Sequence, residues 1–93
     1  MDIAKLQHWA QENFGTALEH LPLDYGVARL LIQAGQLGEA ALQKRSDVDK
    51  EMADVLFVLL SLANRCGVDL AAAAKQLSER TPAEIVARLS PDR

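Results

Sequence analysis

The stretch VLFVLL, Val55–Leu60, lies within a longer helical segment, KEMADVLFVLLSLANRCG, which from Val55 to Ala63 is apolar on nearly every side when read at helical spacing. A helix of this kind must be covered all round. Its unbroken apolar run is far too short to span a bilayer, so the cover has to come from protein. The chain has 93 residues, which make one small domain, residues 1–93, and leave it little surface for wrapping a central helix. Association with a second copy is therefore expected on physical grounds.

The rest of the chain supplies short helices as neighbours. Asp2 can cap a first helix in which Ile3, Leu6, Ala10 and Phe14 recur at helical spacing, with Gly15 weakening or ending it. After HLPLDYG, a second helix starts near Asp24 and carries the stripe Val27, Leu30, Leu31, Ala34, Leu37 and Ala41. Gly35 and Gly38 are unfavourable inside it unless another backbone approaches closely. KRSDVD reads as a turn, with Ser46 and Asp49 placed as a capping box for the third helix and Gly67 as its C-terminal stop. Asp69 opens a fourth helix. Thr81, Pro82 and Glu84 open a fifth, over residues 82–89. No strand pattern, repeat or low-complexity tract is present. The fold class is all-α, a bundle of four or five helices.

The net charge of −3 and the scattered basic residues, with Lys44 and Arg45 the only adjacent pair, argue against nucleic acid as a partner. The single cysteine, Cys66, excludes a disulfide framework and reads as a buried structural thiol. Met1 leads into a polar amphipathic stretch with no signal-peptide pattern, so a soluble cytoplasmic protein with no membrane partner is expected.

Asp54 fits poorly in such a chain. It directly precedes the apolar run in a helix that should be buried, where an unpaired charge is expensive. Glu51, three residues earlier, shares its helical face. Two carboxylates so spaced can share a divalent cation. They also suit a plainer account, in which acids near a helix start interact with its dipole and Lys50 pairs with Asp54 at i,i+4.

Together, VARLLIQAGQLGEA and EMADVLFVLLSLANRCGVDL resemble the MazG-like nucleotide pyrophosphohydrolases, all-α enzymes related to the dUTPase and dCTPase group. The resemblance spans roughly residues 3–77. It is strongest in the third helix, at Glu51, Asp54, Val55, Leu56, Leu62, Ala63, Gly67, Asp69 and Leu70. It implies a MazG-like bundle completed as a homodimer or dimer of dimers. The implied chemistry is magnesium-dependent hydrolysis of nucleoside triphosphates to the monophosphate and pyrophosphate. Relatives hold their metals with an E-x-x-E pair on one helix and an E-x-x-D pair on the next. Here the second pair is Glu51 and Asp54, but the first falls on Gln33 and Gln36. Glu39 fits a further acid of many relatives. Lys75 can match a basic residue that contacts phosphate in relatives, and is equally well read as a solvated lysine on an alanine-rich helix; the Asn and Arg that usually follow it are not evident. Trp9 could correspond to N-terminal aromatics near the nucleotide in related folds, but packing at a core or interface suits it better, given the area a tryptophan buries.

Glutamine keeps a carbonyl oxygen but has no charge to offer, and magnesium gives up its waters reluctantly. The favoured reading is thus a MazG-like protein with a degenerate metal site and little or no hydrolysis. Magnesium binding would be weakened or absent. Two alternatives stay open: an active pyrophosphohydrolase that uses Glu39 as catalytic acid/base with Glu51 and Asp54 on the metal, and a non-enzymatic helical interaction module.

Overall fold

A computed structural model of the chain describes residues 2–90, which form five helices with no strand among them. α1 (Ile3–Leu18) begins where the Asp2 carboxylate accepts the Lys5 N–H at 2.8 Å. It does not end at Gly15, because the helical bonding continues through that residue, whose carbonyl accepts from Glu19 N–H at 2.9 Å. One glycine weakens a helix by about 1 kcal/mol, too little to stop one that packs along another helix. Pro22, at φ −59° and ψ 148°, sets the extended backbone from which α2 (Leu23–Leu42) starts, with Asp24 in its first turn.

The capping box expected from Ser46 and Asp49 is absent at the start of α3 (Val48–Cys66). Asp47 occupies the cap position, but its carboxylate is turned to Arg45, which donates to it at 3.0 and 2.6 Å, and it makes no side-chain cap bond to the helix. The other caps follow the sequence. Gly67 ends α3 in the left-handed region at φ 67°. Asp69 accepts the Ala72 N–H at 3.1 Å to start α4 (Leu70–Ser78), and Thr81 with Glu84 forms the capping box of α5 (Pro82–Leu89).

α3 is the central helix, with α2 along one side and α1 along another; α4 leans on α1, and α5 packs substantially on none of them. A side-chain latch fixes the bend of 110° between α3 and α4. Gln7 donates to Asn64 Oδ1 at 3.0 Å and to the Val68 carbonyl at 2.7 Å, and its own Oε1 accepts the Leu70 N–H at 3.0 Å. Trp9, Phe14 and Phe57 meet edge to face, with ring centroids 5.1–6.2 Å apart, and tie α1 to α3.

Among the described residues, burial to less than a tenth of the surface is confined to Ala10, Ala40, Leu60 and Ala63. Coverage of α3 is incomplete: Met52, Leu56 and Leu59 stand in a row on its outer face, 55, 38 and 37% exposed. Asp54 is also exposed, so the burial expected for it from the apolar pattern does not occur, and Cys66 is exposed rather than buried. The accessible surface is 6967 Å² for 10.2 kDa, against roughly 5,300 Å² for a folded monomer of that mass. The radius of gyration is 14.9 Å, against about 12 Å for a compact domain of this length. The protomer is an open bundle. Among the described residues no single helix is long and apolar enough to cross a membrane.

Candidate functional site

A cleft of about 330 Å³ opens between α2 and α3, closed at one end by the last turn of α1 and the connector at Leu21 and Pro22. Its walls are mainly apolar, from residues such as Leu18, Tyr25, Phe57, Val58 and Leu62. Gly26 lets α3 come close: a Cβ built there would lie 3.5 Å from Leu62 Cδ1. At the other end the lining includes Gln33 and Asp54, so α2 and α3 run in opposite directions along the cleft.

This places one residue of each expected pair together. Gln33 is half-buried, and its Oε1 is shut away from solvent with no hydrogen-bond partner. Glu51, also half-buried, has its Oε2 in the same condition. Asp54 shares the cleft with Gln33 and forms no ion pair, so the Lys50–Asp54 pairing is not made. Gln36 is exposed and does not line the cleft. Glu39 is exposed too, and its Oε1 accepts from Gln43 Nε2 at 3.3 Å.

A fixed cation stands near these acids. Asp47 hydrogen-bonds to the Arg45 guanidinium and attracts it, which raises the affinity of Arg45 for its proton; the charges of Glu51 and Glu39 add to the effect. In return Arg45, chiefly through the hydrogen bond, holds the Asp47 carboxyl below its ordinary range.

The donor set is all oxygen: Glu51 and Asp54 one turn apart, plus the Gln33 amide. That set suits a single hard cation that keeps several of its waters. It does not suit a cluster of acids, since among the described residues no three of His, Cys, Asp and Glu come together to hold a metal. Glu39 therefore does not complete the pair. Trp9 belongs to the aromatic cluster and Lys75 lies on exposed α4; neither lines the cleft.

Three polar residues of the cleft escaped the sequence reading. Arg29 sits one turn before Gln33, half-buried, with no hydrogen bond or ion pair among the described residues. Ser61 has a buried hydroxyl without a partner. Arg65 donates from Nη1 to the carbonyls of Leu18 and Leu21 at 2.9 and 2.7 Å, satisfying the end of α1 and fixing the connector. The available signal was the i,i+4 spacing of Arg29 and Gln33 on the core side of an apolar helix. No family description, curated protein or solved structure matches the chain.

Proposed function

We propose that this chain is a MazG-like protein with a degenerate metal site, which binds nucleoside triphosphate without hydrolysing it and acts as a homodimer. The observation that carries the reading is the pair of buried, unpartnered oxygens, Gln33 Oε1 and Glu51 Oε2, on the helix pair where the resemblance expects metal ligands. Each such oxygen costs about 1–3 kcal/mol unless something binds it. A site kept only for packing would favour apolar side chains there.

Magnesium, when bound, would supply neutralisation of phosphate charge. Glu51, Asp54 and the Gln33 amide oxygen are the groups that would hold it. Each carboxylate replaced by glutamine removes an attraction on the order of several kcal/mol at an effective dielectric near 20. The Arg45 guanidinium beside Glu51 and Glu39 reduces the pull on a cation further. Gln36 cannot accept a proton, and Glu39, exposed and outside the cleft lining, is poorly placed to activate water there.

The homodimer is supported by the excess surface. It is about twice the roughly 800 Å² that each partner buries in a standard interface. A second support is the outer face of α2, where Leu31, Gly35, Gly38 and Leu42 recur at a spacing near 3.5, the period of a helix–helix seam. Leu31 and Leu42 are 70 and 87% exposed, and nothing lies within 4 Å of where either glycine would carry a Cβ.

The test is pyrophosphate release from a panel of nucleoside and deoxynucleoside triphosphates with magnesium and then manganese, alongside nucleotide binding. The native chain is expected to bind but not turn over, and Gln33→Glu/Gln36→Glu to gain metal affinity. Ordinary turnover by the native chain would overturn the degenerate-site reading. Absence of both binding and turnover would leave a purely structural module.

A further inference from the structure

We infer that the apolar part of the α2–α3 cleft is a binding site for a small amphipathic monoanion, a carboxylate on a medium-length aliphatic or compact aromatic body. This goes beyond the nucleotide reading and needs neither metal nor phosphate. The volume of about 330 Å³ lies at the lower end of the range for small-molecule sites. A ligand of that size needs an apolar body, because Leu21, Leu23, Val58 and Leu62 form the connector end and adjoining walls.

Charge fixes the head group. The cleft is lined by two guanidinium groups and one carboxylate, a local excess of positive charge on a chain whose net charge is −3. Arg65 already serves the α1 carbonyls, but Arg29 is half-buried with no partner. A guanidinium in an apolar surround gains most from a carboxylate that it can grip with two parallel N–H bonds. The buried Ser61 hydroxyl, also without a partner, has a proton to donate to a ligand oxygen. Gly26 keeps the cleft wall free of a side chain. The proposed seam on α2 shares no residue with the cleft lining, so this site remains accessible in the dimer.

The experiment is an NMR titration of the full chain with octanoate, following backbone amides and the Arg29 Nε–H. Octylamine, with the same tail and opposite charge, and butyrate, with a shorter tail, run in parallel. Octanoate should give saturable shifts at Gly26, Arg29 and Ser61. Butyrate and octylamine should bind at least about tenfold more weakly. Arg29→Gln should weaken octanoate by about tenfold or more, with Arg29→Lys recovering part of the loss. Gly26→Leu should abolish the shifts by filling the cleft, its folding checked by circular dichroism. Any of three results would overturn the proposal: no saturation up to roughly 10 mM octanoate, equal binding of octylamine, or indifference to Arg29→Gln. If the same amides shift on dilution and not with octanoate, the cleft takes a second copy of the chain instead.

Discussion

Gly35 and Gly38 allow a test in which intrinsic helix stability and association should move in opposite directions. Both lie inside α2, and within the protomer nothing approaches the space where a methyl group would go. Glycine in an exposed helix interior is about 0.8–1.0 kcal/mol less favourable than alanine. The double variant Gly35→Ala/Gly38→Ala should thus stabilise an isolated protomer by about 2 kcal/mol. For a domain of this size that corresponds to a rise in Tm of roughly 8–16 °C. The glycines become useful only if another helix packs against them, flanked by Leu31 and Leu42. Four added methyl groups across a two-fold seam would then overpack it, and a typical penalty of about 1–3 kcal/mol amounts to a dimer weaker by about fivefold to 150-fold.

Sedimentation equilibrium over a concentration series would give the dissociation constant. Thermal melts in a Leu31→Asp/Leu42→Asp background, where the seam is broken, would isolate the protomer's own gain. The double alanine variant is expected to melt higher in that background and to dissociate more readily in the native one. If the alanines leave dissociation unchanged or tighten it, no helix approaches this face and the seam is wrongly placed. If they fail to stabilise the separated protomer, the open face of α2 has been misread.

Three further outcomes follow. Gln33→Leu removes a buried oxygen without a partner and should raise stability in urea by about 1–2 kcal/mol; a loss of similar size would mean that the amide is satisfied, by water or otherwise, and is structural. Gln7→Leu removes all three side-chain bonds of the latch, each worth about 1 kcal/mol, and should destabilise by about 3 kcal/mol, with amide exchange rising first at Leu70 and through α4. Finally, the lowered Asp47 carboxyl makes a small contribution to stability that is present above the ordinary carboxylate range and lost as pH falls through its depressed value. Carbon-detected NMR should show its midpoint returning to the ordinary range in Arg45→Gln.

The helices were legible because their ends are coded locally. Asp2, Gly67, Asp69 and the Thr81–Glu84 box each act within one turn, and the structure uses all four. The Ser46–Asp49 box failed through a competition that spacing does not reveal, since the Arg45 fork captured Asp47 and the helix began without a side-chain cap. Asp54 shows the limit of periodicity. An apolar run says that a helix is central, but exposure of a residue at its edge depends on how far neighbouring helices extend. The cleft was illegible for the same reason. Arg29, Ser61 and Arg65 come from three separated positions, and only the antiparallel pairing of α2 with α3 brings them to one cavity.

Several features that look like defects in an isolated protomer lie on two surfaces. The buried oxygen of Gln33, the unpaired Arg29 and the silent hydroxyl of Ser61 belong to residues that line the α2–α3 cleft. The open glycines with Leu31 and Leu42 lie on the outer face of α2. Each is unfavourable for folding, and among the described residues Leu60 is the only large side chain fully buried to offset them. Exposed apolar side chains stand on other faces too, as at Met52, Leu56 and Leu59. Where such a feature meets a cleft that suits a small ligand or a stripe that suits a second helix, binding to the folded form adds stability that folding alone leaves out.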